Sequence, residues 1–163
     1  MSILCVTGVL EGPTPIFPEG PRVNSFVHKT VVVQLQTDGT GRCPVLAHLS
    51  YDAEDPFAVT AVFAHDGRVL ARWRLDRQML DEGLTRPVGV GDVRIAPHAT
   101  GMWRELRLEF LGDFRVDGSR HRAVVFAWAP AVAAFLREAH QVVAPGQEEI
   151  KVDEMLAEIL SSS

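Results

Sequence analysis

Phe57-Ala58-Val59-Thr60-Ala61-Val62-Phe63-Ala64-His65-Asp66-Gly67-Arg68-Val69-Leu70-Ala71-Arg72-Trp73-Arg74 is the stretch that decides the fold. Two apolar-rich runs flank Asp66-Gly67, a dipeptide that accepts the positive φ angles of a tight hairpin turn. In the return run Val69, Ala71 and Trp73 alternate with Arg68, Arg72 and Arg74, which predicts one greasy and one charged face. Leu70 breaks that pattern on the charged side. Downstream, Asp76 is placed to cap a helix whose Leu75, Met79 and Leu80 share a side. Gly83 stands where a left-handed helix end is expected, and Arg86-Pro87 forbids continuation. Upstream, Leu49-Ser50-Tyr51-Asp52 enters the acidic bend Ala53-Glu54-Asp55-Pro56. The unit reads as strand, bend, strand, hairpin, strand, helix and strand.

The same grammar extends outward. His28 to Gln36 and Val45 to Tyr51 alternate as strands around the turn Thr37-Asp38-Gly39-Thr40-Gly41. Val93 and Ile95 open a second round. Arg104 to Phe110 sets Leu106, Leu108 and Phe110 against Glu105, Arg107 and Glu109, and Asp117-Gly118 marks another hairpin. Arg122 to Trp128 is apolar on both faces, as a central strand should be. Pro130 suits the first turn of a helix with Val132, Phe135 and Leu136 inside. Four strands and a helix thus occur twice. The predicted fold is α+β: two four-stranded antiparallel sheets packed face to face, each followed by a helix (ββββα twice), plus a C-terminal amphipathic helix. That last helix spans about residues 152–161, with Val152, Met155, Leu156, Ile159 and Leu160 on one side and Glu154 and Glu158 on the other. Residues 1–27 form a Pro/Gly-rich arm, and residues 28–163 a single domain.

Composition bounds the function. The net charge is −5, which argues against a surface built to neutralise phosphates, although eleven of the sixteen basic residues lie between Arg68 and Arg122. Cys5 and Cys43 lack metal-type spacing and read as free thiols of a reducing compartment. The short apolar start has no preceding basic residues, so neither a signal peptide nor a membrane span is expected. The expected location is cytoplasmic.

No motif carries catalytic chemistry. The six histidines are scattered without HExxH or zinc-finger spacing, and there is no Gly-x-Ser-x-Gly elbow. Gly39-Thr40-Gly41 and Gly89-Val90-Gly91 read as turns, because Arg94 replaces the third glycine that a phosphate loop would need. Asp52, Glu54 and Asp55 lack the distal ligands of a calcium loop and read as a turn before Pro56. No enzyme activity, metal or cofactor is expected. What remains are surfaces: the arginine face with Arg72 and Arg74, and the stripe Val152, Met155, Leu156, Ile159 and Leu160. Both are candidates for a partner or subunit interface. A single-stranded nucleic-acid binder is the alternative, but it wants aromatics beside the cations, and Trp73 points the other way.

Leu49-Ser50-Tyr51-Asp52, Asp55-Pro56-Phe57-Ala58-Val59, Glu82-Gly83-Leu84-Thr85-Arg86-Pro87 and Gly91-Asp92-Val93-Arg94 resemble the blocks of the SsgA-like proteins of actinobacteria. Phe135-Leu136-Arg137 and Pro145-Gly146-Gln147-Glu148 resemble the family's C-terminal part. The resemblance implies a whirly-like fold and a non-enzymatic role in sporulation-specific cell division. It also implies control of where the tubulin-like FtsZ ring assembles or of septum formation, partnership with FtsZ and other SsgA-like proteins, location at the septum, and a homo-oligomer, first a trimer. The net charge, the Trp73 orientation and the lack of an apolar span, not the resemblance, give no nucleic-acid ligand and no direct membrane insertion as the expectation. The family supplies no catalytic residue to carry over.

Overall fold

The computed structural model describes residues 25–149 and 160–161. The chain runs β1 (Phe26–Gln36), β2 (Arg42–Asp52), β3 (Ala58–His65), β4 (Arg68–Asp76), α1 (Arg77–Gly83), β5 (Val88–Val90), β6 (Val93–Thr100), β7 (Trp103–Phe114), β8 (Arg120–Trp128) and α2 (Ala129–Val142). Four strands and a helix do occur twice. The hairpin at Asp66-Gly67 forms as its chemistry demands, with φ of 48° and 74° at the two turn residues.

The expectation of two separate sheets is corrected. All eight strands belong to one antiparallel sheet in the order β4-β3-β2-β1-β8-β7-β6-β5. The join is short: β1 and β8 pair only at Gln34↔Phe126 and Leu35↔Val125. Two halves so narrowly connected fold over one another, and their inner faces meet. Phe63 of β3 packs edge-on against Phe110 of β7 at 5.5 Å, and Trp73 of β4 lies 4.7 Å from the same ring. The inner faces were legible in the alternation; the seam that makes one curved sheet, in place of two packed face to face, was not.

β8 is buried on both sides only from residue 124 to 127; Arg122, Ala123 and Trp128 are exposed. Val125 and Ala127 face the shared core, while Phe126 on the outer side is covered by the Arg42 guanidinium, 3.8 Å from its ring centre, and by His98 at 5.0 Å. α2 seals the core with Val132, Phe135, Leu136 and Ala139, all buried. Val132, Phe135 and Leu136 each contribute roughly 1.5–3 kcal/mol of transfer free energy.

Two local expectations change. Gly83 is the last residue of α1 but has no positive φ, and Leu84 caps the helix in the right-handed region. Its smallness serves packing: a Cβ there would lie 2.4 Å from Cγ2 of Ile95 on β6. The alternation in β4 also reverses. The register slips between Phe63 and Ala64, so Ala71 pairs with Phe63 but Val69 pairs with Ala64. Cross-strand partners share a face, so Val69 turns outward, away from Ala71 and Trp73, and is 61% exposed. Leu70 is the extra residue of this bulge. Arg72 and Arg74 remain outward, whereas Arg68, opposite His65, leaves their face.

Candidate functional site

The outward face of β4 is built by the hairpin and the acidic bend together. Arg74 Nε donates to Asp55 Oδ2 at 3.0 Å, and its Nη2 reaches Oδ1 of the same carboxylate. That hydrogen bond, with the charge behind it, holds the Arg74 pKa above its ordinary value. Asp52 Oδ1 accepts the Glu54 N–H at 2.9 Å, and the Asp55 N–H reaches the Asp52 carbonyl at 3.0 Å. Two carboxylates of the bend are therefore engaged with the chain itself. Arg72, opposite Val62, makes no ion pair or hydrogen bond among the described residues. Arg72 and Arg74 thus share a face but differ in state: one arginine is clamped and one is free.

Most of the other arginines in the basic stretch are engaged. The buried Glu109 carboxylate sits among Arg107 (2.9 Å), Arg122 (3.6 Å) and Arg94 (3.8 Å). Arg120 bonds Asp92 at 2.6 Å, and Arg86 pairs with Glu82. Such intramolecular pairing leaves fewer cations to meet a phosphate backbone. Trp73 lies inward on Phe110, on the opposite face from Arg72.

The most constrained polar group is one that sequence reasoning missed. Arg77 opens α1 and is 1% exposed. It donates to Tyr51 Oη at 3.0 Å, to the carbonyls of Ala139 (3.2 Å) and Val143 (2.7 Å), and to Glu148 Oε1 at 2.5 Å. Its guanidinium also lies 4.9 Å from the Tyr51 ring centre. Tyr51 in turn donates to the Pro56 carbonyl at 3.0 Å. Burial raises the Tyr51 pKa, with Arg77 opposing it, and the Arg77 hydrogen bond lowers that of Glu148. Three distant segments, β2, the C-terminal end of α2 and the turn after it, are tied through one cation. Tyr51 and Glu148 both stand in the sequence blocks quoted above; Arg77 does not, and nothing local marks it.

A cleft of about 360 Å³ opens beside this hub, lined by Phe57, Asp76, Asp81, Glu82, His140 and Glu148 among others. Three of its four carboxylates hold structure. Asp76 Oδ1 caps α1 through the Met79 N–H at 2.8 Å, Glu82 pairs with Arg86 and Gln78, and Glu148 holds Arg77. Among the described residues no group of three or more His, Cys, Asp or Glu is arranged to hold a metal ion, and no helix is long and apolar enough to cross a membrane.

Of the C-terminal stripe, Val152, Met155, Leu156 and Ile159 lie outside the described residues, as does the arm up to residue 24. Leu160 is described and is 74% exposed. Trp103 and Trp128, which sequence reasoning did not single out, are exposed as well.

Comparison with known proteins gives one consistent result. Residues 45–148 match the family described as "Streptomyces sporulation and cell division protein, SsgA". The chain is 33% identical over 146 residues to the sporulation-specific cell division protein SsgB of Kineococcus radiotolerans, covering 88% of this chain and 86% of the relative. It is 32% identical to SsgB of Streptomyces coelicolor, covering 86% of this chain and all of the relative. Among solved structures, an SsgA-like sporulation-specific cell division protein of Thermobifida fusca superposes with a TM-score of 0.71 at 28% identity, covering 82% of this chain and 95% of that one. A structure from a study of SsgB mutations and longitudinal cell division in Streptomyces coelicolor gives 0.67 at 32% identity, covering 79% and 97%. The matched region holds β4, α1, the Arg77 hub and the seam-forming β8, so the chain belongs to the SsgA family of sporulation and cell division proteins.

Proposed function

We propose that this protein is a non-enzymatic adaptor of sporulation-specific cell division, acting by protein–protein contact to control FtsZ ring placement or septum formation. The observation that carries it is family membership: relatives named sporulation-specific cell division proteins match along most of this chain. The site geometry supports it. The polar clusters of the described residues tie the fold together, while the outward face of β4 offers Arg72 beside exposed Val69 and Leu70. In this reading the protein works as a homo-oligomer, first a trimer, in the cytoplasm at the septum. FtsZ and other SsgA-like proteins are its partners, and it neither binds nucleic acid nor inserts into the membrane. Arg72, Arg74 and the stripe Val152, Met155, Leu156, Ile159 and Leu160 form its partner or subunit surfaces.

The test combines deletion in the native host with a pull-down of the tagged protein during sporulation. Misplaced or missing septa and recovery of a division protein are expected. Normal septation with no division protein recovered overturns the reading. Light scattering of the purified protein at several concentrations checks the oligomer, with three times the 17.9 kDa chain mass expected.

A further inference from the structure

β4 ends the sheet. Among the described residues it pairs with β3 on one side and with no strand on the other, and it is nine residues long. An edge of this length leaves every second backbone N–H and C=O open to another strand. Sheets discourage such pairing with charges, and Arg72 occupies the midpoint of β4. A second copy pairing antiparallel about a two-fold axis along the whole of β4 sets Arg72 opposite its own counterpart, and like charges directly opposite are destabilising. The same charge favours a strand that brings a carboxylate to that position.

The neighbours define the rest of the fit. Arg74, on the same face, is already held by Asp55, so among the described residues Arg72 is the cation this face leaves for a partner; Arg68, also exposed, stands on the other face at the start of the strand. The opposite face of the edge carries half-buried Ala71 and Trp73. Exposed Val69 and Leu70 stand at the bulge where the edge begins. An added strand that alternates carboxylates and apolar side chains presents acid to Arg72 and grease to Ala71 and Trp73. We infer that the β4 edge docks an extended, acidic, alternating segment of a partner protein by strand addition, with Arg72 selecting the partner and rejecting self-pairing. This rests on the interaction-protein reading and names the chemistry of one partner.

The test uses the full chain and a fluorescein-labelled eight-residue probe alternating glutamate and valine. Its counterparts carry lysine for glutamate, or N-methyl groups on alternate amides. The glutamate probe is expected to bind, to weaken with added salt, and to slow hydrogen exchange at alternate β4 amides that exchange fast in the free protein. The N-methylated probe is expected to fail. Arg72→Glu is expected to weaken the glutamate probe by about fivefold and to favour the lysine probe. Arg104→Glu, which changes net charge equally at an exposed site on β7, is expected to leave binding unchanged. The inference is overturned if the lysine probe binds the unaltered protein as well, or if R104E weakens binding as much as R72E. Amides of β4 already protected in the free chain overturn it too, because a second copy or another segment of this chain then covers the edge. Failure of the probe leaves the septation and pull-down result standing, so the two readings fail separately.

Discussion

Arg77 is a charge removed from water, and every partner it has was placed by a different part of the chain. Its removal takes this donor from the Glu148 carboxylate and the Val143 carbonyl, while the Ala139 carbonyl keeps the Val143 N–H. Breaking a largely buried pair in this way costs about 3–5 kcal/mol, so Arg77→Ala is expected to lower the unfolding midpoint in urea by that equivalent. Tyr51→Phe, which removes one hydroxyl, is expected to cost less, about 1–3 kcal/mol. The Glu148 pKa is lowered in the folded state from its ordinary 4.5. A depressed carboxylate contributes stability that is present above the unfolded value and is lost as pH falls through the folded one. The acid limb of the stability curve below about pH 4.5 is therefore expected to flatten in Glu148→Gln, as urea titrations at stepped pH would show. An unchanged acid limb would mean that the pair contributes nothing to acid stability.

At the scale of elements, the contact between α1 and β6 turns on one hydrogen-sized side chain. A methyl group at Gly83 meets Ile95 Cγ2 at 2.4 Å and Ile95 Cβ at 2.9 Å, and Ile95 is fully buried. Gly83→Ala is expected to destabilise by about 1–3 kcal/mol through overpacking, despite alanine's better helix propensity. In a double-mutant cycle, Ile95→Ala, which removes the clashing Cγ2, is expected to shrink the cost of Gly83→Ala. If Gly83→Ala instead stabilises, propensity wins and the packing account fails. In α2, Phe135 is fully buried, and Phe135→Ala is expected to cost about 3–5 kcal/mol. The helix and its inner face were legible from Val132, Phe135 and Leu136, because periodicity and a first-turn proline are local signals. The role of Gly83 was not, since its partner lies twelve residues on, in a strand whose approach the helix sequence does not encode.

For the whole molecule, the question is whether one sheet joined at so short a seam behaves as one unit. Phe63 and Phe110 come from opposite halves and pack edge to face. A double-mutant cycle with Phe63→Leu and Phe110→Leu is expected to show a coupling of about 0.5–1.5 kcal/mol in chemical denaturation. A coupling near zero, or two separate transitions, would mean that the halves are stabilised independently. The bulge in β4 belongs to this scale too. Leu70 already disturbed the alternation in the sequence, but the sign of its effect on Val69 required the register with β3. Of the candidate surfaces, Arg72 and Arg74 were legible as an outward pair from alternation alone. That Arg74 is clamped by Asp55 while Arg72 has no polar partner among the described residues is a fact of the folded bend.

Strands, the Asp66-Gly67 hairpin, the Asp76 cap, the doubled ββββα order and, outside the β4 bulge, the inner faces were determined by residues within a few positions of one another. Alternation, turn dihedrals and capping need no distant partner, which is why the amino-acid order alone specifies them. Membership of the SsgA family was likewise legible in ordered local blocks. The tertiary structure alone decided the β1–β8 seam, the reversal at Val69 and the hub in which Arg77 reaches Tyr51 and Glu148 across 26 and 71 positions. Those features are contacts between segments remote along the chain, and they exist only once packing has chosen which faces meet.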